Sequence, residues 1–293
     1  MLDEVIQFLD IKPDQWYIDC NLGGGGHTQA ILDKGGKVLG IDLDITAIRH
    51  VAKNHQLELI ETDQLVYARS ENLIIVQANF LDAATYANKF KIAPVTGILF
   101  DLGLSSTQLD TAERGFSFQA DAPLDMRMDQ RLAVSAADLI NALNVGELAE
   151  LFQKYGEETW AKPIAKAIVS ARQNQLITTT FQLADIIKRV KHSRDKVHPA
   201  TQVFQALRIA VNDEMNNFRA ALPAIWSVLD SSGKLVIISF HSLEDRWAKN
   251  FIQQEVQENH GVALTDKPLT AEESELAVNP RARSAKLRAI QKL

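Results

Sequence analysis

The chain has 293 residues, 46% hydrophobic and 23% charged, with a net charge of −6, which suits one large or two modest globular domains and argues against broad, non-specific nucleic-acid binding. No apolar run approaches the roughly 18 residues of a spanning helix, and the opening MLDEVIQFLDIKPDQ is acidic and amphipathic, unlike a secretory signal. The one cysteine, Cys20, excludes an internal disulfide framework and fits a reducing, cytoplasmic setting.

In chain order, Trp16–Asp19 predicts a short buried strand, followed by glycines and a helix from Thr28 to Lys34 that Gly35-Gly36 stops. Val38–Asp42 is the next strand and Asp44–Asn54 the next helix; Leu73–Val76 and Ile98–Asp101 are two further apolar runs of strand length. Such runs, alternating with helices, predict an α/β fold with a mostly parallel, doubly wound sheet. The stretch 57–70 has weak periodicity and is left open. A polar loop with glycine and proline follows from Gly103 to Arg131, then helices over Ser135–Leu143, Val145–Tyr155, Glu158–Gln173 and Thr180–Lys191. Further helix over Ala200–Leu229, expected to break before Pro223, leads to a strand at Lys234–Phe240 and a last helix from Leu243. This predicts a discontinuous nucleotide-binding core, 1–112 with 199–293, interrupted by a helical insert, 113–198.

The segment Asp19-Cys20-Asn21-Leu22-Gly23-Gly24-Gly25-Gly26-His27 joins strand to helix, where glycines let a ligand approach the backbone and the helix start offers N–H groups. Asp42 ends the second strand, placed to accept both hydroxyls of an adenosine ribose. The spacing is neither G-x-G-x-x-G nor a P-loop. An acid before the glycines suits an amino and sulfonium ligand better than a pyrophosphate. The residues alone therefore favour S-adenosylmethionine and leave a nicotinamide cofactor as the alternative.

Longer motifs go further. Tyr17–Leu32 (YIDCNLGGGGHTQAIL), Asp101–Asp129 (DLGLSSTQLDTAERGFSFQADAPLDMRMD), Tyr155–Val169, His198–Glu214 (HPATQVFQALRIAVNDE), Ile238–Arg246 (ISFHSLEDR) and Asn279–Arg288 (NPRARSAKLR) stand in one order across nearly the whole chain. Together they resemble the MraW/RsmH family, the bacterial N4-cytidine methyltransferases of 16S ribosomal RNA. The resemblance implies a class I methyltransferase core with an inserted α-helical substrate-recognition domain. It implies transfer of a methyl group from S-adenosylmethionine to the N4 amine of one cytidine near the decoding centre, within the small ribosomal subunit. The cofactor residues it implies are Gly25, Gly26, His27, Asp42, Phe80, Asp101 and Gln108. The sequence departs from the family in a shorter N-terminus and in Pro163, which stands where these sequences usually carry a basic residue.

Asp101, ending an apolar strand, is the candidate catalytic acceptor for an N4 hydrogen; His241 is either a base or a loop-holding residue. The loop that interleaves Asp110, Glu113, Arg114, Asp121, Asp125, Arg127 and Asp129 with Phe116 and Phe118 is expected to stack a splayed base. Two basic stretches are candidate RNA contacts: Lys188, Arg189, Lys191, Arg194 and Lys196 against Asp195 alone, and Arg281, Arg283, Lys286, Arg288 and Lys292 with no acid between them. No metal site is expected, since Cys20 lacks a cysteine partner and the histidines are scattered. A methyltransferase for DNA cytosine or a small molecule, and an assembly factor that binds S-adenosylmethionine without catalysis, are the rival readings.

Overall fold

A computed structural model describes residues 1–63, 65–105, 111–191 and 198–293. Gln108, Asp110, Arg194, Asp195 and Lys196 lie outside the described residues. The chain forms two compact units, Met1–Leu104 with Met215–Leu293, and Ser105–Glu214. No helix among the described residues is long and apolar enough to cross a membrane.

The first unit is built on one mixed sheet. Its strands are β1 (Trp16–Asp19), β2 (Lys37–Asp42), β3 (Ile60–Glu61), β4 (Val66–Arg69), β5 (Leu73–Gln77), β6 (Val95–Asp101), β7 (Leu229–Ser239), β8 (Gly261–Ala263), β9 (Leu269–Thr270) and β10 (Lys286–Lys292). The path runs β3-β4-β5-β2-β1-β6-β7-β10-β8, with β9 paired to β10. The middle five, β5-β2-β1-β6-β7, are parallel; the flanking pairs are antiparallel. Strands that bury both faces cannot alternate apolar with polar, which is why they read as unbroken apolar runs. On one face Ile18, Leu39, Ile98, Phe100 and Ile237 pack with α4 (Ala83–Lys89), α10 (Glu214–Val228) and α11 (Ser242–Gln257). On the other face Tyr17, Val38, Ile75, Leu99 and Val236 pack with α1 (Leu2–Leu9), α2 (Gly26–Asp33) and α3 (Ile45–Asn54). A further short helix, α12 (Glu273–Val278), precedes β10. The open stretch 57–70 holds the antiparallel pair β3 and β4.

The second unit is helical: α5 (Ala136–Ala142), α6 (Val145–Gly156), α7 (Ala161–Arg172), α8 (Thr180–Val190) and α9 (Thr201–Asn212). Three of these start in reciprocal capping boxes, Ser135 with Asp138, Asn144 with Glu147, and Thr179 with Gln182, each satisfying two otherwise orphaned donors. Pro163 is the third residue of α7, where its missing N–H has no helical partner to lose, so the substitution there is tolerated locally.

Two expectations change. The helix over 200–229 breaks at Asp213, which adopts a left-handed conformation (φ 50°), not at Pro223, which sits on the exposed face inside α10. The compact helical unit also runs to Glu214 rather than to 198. Its last helix, α9, buries Val203, Phe204, Ala206 and Leu207 and packs on α6. Gly156 permits that approach, because a Cβ there would overlap the Gln202 carbonyl.

Lys191, one of the expected RNA-binding cations, is consumed inside this unit. Its Nζ lies 2.7 Å from a carboxylate oxygen of Glu158, whose side chain is fully buried, and it donates to Gln202 at 2.8 Å. Removing one partner of a buried pair strands the other, at about 3–5 kcal/mol. Lys191→Met should therefore lower the stability of the folded chain by that order in a denaturant titration, whereas Lys188→Met, on an exposed position, should leave the midpoint unchanged.

Candidate active site

Because β2 follows β1 on one side and β6 pairs with it on the other, the carboxyl ends of these three strands flank the point where the strand order reverses. Open α/β sheets bind their ligands in such a crevice. Each of the three strands ends in an aspartate: Asp19, Asp42 and Asp101.

Asp19 is fully buried. Its Oδ2 accepts the Thr28 hydroxyl hydrogen at 2.8 Å and its Oδ1 accepts the Asn21 N–H at 3.3 Å. Burial pushes its carboxyl above the ordinary range, against the pull of His27 and these hydrogen bonds. The loop then climbs to α2 through Gly23 and Gly25, both at positive φ. Gly25 is the N-cap of α2 at φ 81°, and a Cβ there would stand 3.0 Å from Val51, so a larger residue would be strained twice over. A Cβ on Gly24 or Gly26 would meet nothing within 4 Å, leaving open space over the loop.

Asp42 Oδ2 accepts the Gly23 N–H and its Oδ1 the Asp44 N–H, both at 2.8 Å. Burial outweighs these bonds and lifts its carboxyl to about 6. A carboxylate has about four acceptor positions, so each oxygen keeps a lone pair for a ligand hydroxyl. Phe80 opens a 3-10 turn after β5, half-buried, with its ring edge-on to Phe100 at 5.5 Å.

Asp101 Oδ2 lies 3.4 Å from His27 Nε2. Burial disfavours the His27 imidazolium, but the hydrogen bond and charge of Asp101, with Asp19 behind, outweigh it and hold the imidazole above its ordinary value. Among the described residues, three buried polar atoms around this loop have no hydrogen-bond partner: Asn21 Oδ1, His27 Nδ1 and Asp101 Oδ1. A buried orphan costs about 1–3 kcal/mol, so the two oxygens call for a donor, and the imidazole nitrogen for a partner, from outside the chain. Asp19, Asp42, Asp44 and Asp101 add negative charge that would repel a pyrophosphate. A cation rich in N–H and O–H groups fits where a dinucleotide does not.

His241 stands at the start of a helix, where it can hold the loop. It is the N-cap of α11; its Nδ1 accepts the Glu244 N–H at 3.3 Å while Glu244 accepts the Phe240 N–H at 2.7 Å. In the helical unit, Arg114 donates to the carbonyls of Arg127 and Met128 at 2.9 and 3.0 Å, and Phe116 is buried, so both side chains turn into the loop. Asp125 pairs with Arg127, and Asp129 with Arg131, within the same loop. Phe118 stays half-exposed. The basic tail divides likewise. Arg288 and Lys286 contact Asp245 at 2.7 and 3.3 Å, and Lys292 donates to the Trp226 and Leu229 carbonyls, because residues 286–292 are the strand β10. Arg281 and Arg283, in the turn before it, stay exposed. A further grouping of side chains is not legible in the sequence. Glu255, Glu258 and His260 come together at the end of α11, with His260 Nδ1 3.1 and 3.3 Å from the two carboxylates.

The sequence is similar to known proteins along its whole length. The chain is 43% identical to a ribosomal RNA small subunit methyltransferase H of Syntrophotalea carbinolica, over 100% of this chain and 96% of that one. Proteins of the same name from Dehalococcoides mccartyi and Heliobacterium mobile are 41% and 40% identical over 100% of this chain, covering 85% and 97% of theirs. A family model described as the MraW methylase family matches residues 1–293. The chain belongs to the MraW methylase family, whose methyl donor is S-adenosylmethionine.

Proposed function

We propose that this methyltransferase modifies the N4 amine of one cytidine in 16S ribosomal RNA, near the decoding centre, within the small subunit. The observation that carries the reading is the set of buried, unpartnered polar atoms where β1 and β6 end beside the glycine loop. Asp42 would hold the ribose hydroxyls, Phe80 would cover the adenine, and Gly25, Gly26 and His27 would line the amino-acid end; Gln108 completes the proposed set. Bound there, S-adenosylmethionine would supply an electrophilic methyl group. Met1–Leu104 with Met215–Leu293 is then the cofactor-binding unit, and Ser105–Glu214 the RNA-recognition unit.

The chain's own chemistry rests on Asp101. A cytosine amine is a poor nucleophile because its lone pair is delocalised into the ring. Asp101 Oδ1 offers an acceptor for an N4 hydrogen, which favours pyramidal nitrogen and positions it for in-line attack. His27 holds the other oxygen and so fixes the carboxylate's plane. After transfer the nitrogen is strongly acidic, and Asp101 or water takes the proton. The deciding experiment is mass spectrometry of small-subunit RNA incubated with the protein and S-adenosylmethionine. One new methyl on a cytosine N4 is expected; methylation elsewhere, or none, would overturn the reading.

Asp42 gives the first prediction. Asp42→Ala should weaken S-adenosylmethionine binding by about 1.5–3 kcal/mol in calorimetry. Ribose hydroxyls donate best to a carboxylate, and this one protonates as pH falls through about 6. Affinity should therefore be flat above pH 7 and drop about tenfold per pH unit below 6, a dependence that Asp42→Asn removes.

Asp101→Asn keeps size but removes charge and turns donors toward an amine that itself donates. Single-turnover transfer at saturating cofactor should fall by roughly two orders of magnitude, about 3 kcal/mol, with an unchanged melt. Full activity at saturation would leave Asp101 as a cofactor contact only. Reversing Arg281 and Arg283 to Glu should weaken RNA binding and flatten its log–log salt slope by about 0.9 or less per lost phosphate contact, with cofactor affinity untouched. An unaltered slope would make the turn ordinary solvated surface.

A further inference from the structure

In the helical unit Phe118 belongs to a three-ring stack. Phe204, buried in α9, meets it edge-on with centroids 5.0 Å apart and planes at 80°. On its other contact Phe118 lies nearly parallel to the His198 imidazole, centroids 4.5 Å apart and planes at 24°. His198 is the outermost ring and is exposed.

That imidazole is also held in place. Its Nδ1 accepts the Ala200 N–H at 3.2 Å, and its own carbonyl accepts the Thr201 N–H at 3.0 Å as the chain enters α9. Accepting at Nδ1 puts the neutral ring's hydrogen on Nε2. The ring is thus oriented by one edge, backed by a phenyl on one face, and open to solvent. An exposed, polar ring gains little from burial, so packing alone does not account for the arrangement. A flat, pre-oriented surface is instead what a splayed nucleobase needs, since every base has a π-face and stacking loses less when the platform is already ordered. Nearby in sequence, Lys188 and Arg189 stand exposed in the last turn of α8, whereas Lys191 is consumed by Glu158. Within the same loop as Phe118, Arg114 and Phe116 turn inward, which leaves this stack as the loop's aromatic surface among the described residues.

We propose that the His198–Phe118 stack is the platform on which one unpaired base of the RNA substrate lies, with the outer face of the imidazole as the contact. The proposal rests on the RNA reading above. Nε2–H adds a donor at the ring's edge for a ribose or phosphate oxygen of the same nucleotide.

Two substitutions separate stacking from the ring's bond to Ala200. His198→Tyr keeps an aromatic face and loses the Nδ1 acceptor; His198→Asn keeps a short acceptor that can reach the Ala200 N–H and loses the ring. The full chain is titrated with a single-stranded oligoribonucleotide carrying 2-aminopurine, and methyl transfer to small-subunit RNA is followed as KM and kcat, beside a thermal melt and S-adenosylmethionine affinity. His198→Tyr should quench 2-aminopurine and bind like wild type. His198→Asn should lose roughly tenfold or more in RNA affinity, seen as raised KM, with melt and cofactor affinity unchanged. Equal binding and quenching by all three proteins, or loss in His198→Tyr with retention in His198→Asn, would overturn the platform. Failure of wild type to bind or methylate RNA at all would instead overturn the RNA reading on which it stands.

Discussion

The hydroxyl of Thr28 donating to the buried Asp19 carboxylate ties the first turn of α2 to the end of β1. β1 is central to the parallel part of the sheet, so its end is the best-fixed point of that unit. Anchoring α2 there leaves the glycine loop one short route between strand and helix. It also sets His27, one residue before Thr28, against Asp101 on the neighbouring strand. A carboxylate with no exposure is tolerable only when it is hydrogen-bonded, and Thr28 and the Asn21 N–H supply those bonds from the chain itself. The unpartnered atoms lie a step further out, on Asn21, His27 and Asp101. Asp19, wholly buried, therefore reads as the structural acid of the crevice, and Asp42 and Asp101, only half-buried, as the acids a ligand can reach.

The helical unit relies on a different device. Its loop from Arg114 to Met128 buries Phe116, Leu124 and Met126, and polar groups fasten it further. Asn212, near the end of α9, donates to the Met126 carbonyl and accepts the Met128 N–H. Thr180, at the start of α8, bonds both Ala120 and Ala122. These staples are local and directional, so they specify one loop conformation where hydrophobic contacts would allow several.

Where apolar pattern and chemistry coincided, the sequence was readable. The ends of β1, β2 and β6 were visible as aspartates closing apolar runs, and the glycine loop lies between them as expected. The short strands β3, β4, β8 and β9 were not visible, because two to four residues carry too little periodicity. β10 was hidden for another reason. In Lys286–Lys292 charged residues interleave with apolar ones, a pattern that reads as a cationic tail. Arg288 is in fact buried against Asp245, a partner 43 positions away that local reading cannot supply. The same limit applied to Arg114, whose acceptors are backbone carbonyls across the loop, and to His198, whose stack on Phe118 joins residues 80 apart. At Asp213 a backbone conformation, invisible to helix propensity, decided the break that Pro223 was expected to make.

The insertion of the helical unit between β6 and β7 governs the order in which the sheet can form. Asp101 ends β6 and Leu229 begins β7, so about 130 residues must leave the ribosome between two strands that lie side by side; at roughly 5–20 residues per second that is on the order of ten seconds. During that interval the edge of Val95–Asp101, VTGILFD, has β1 on one side and nothing of its own chain on the other. An apolar, unpaired edge is a template for foreign strands. Newly made chains thus pass through a stage in which half the sheet is complete and its growing edge is adhesive, closed only when β7 arrives and β10 pairs against it.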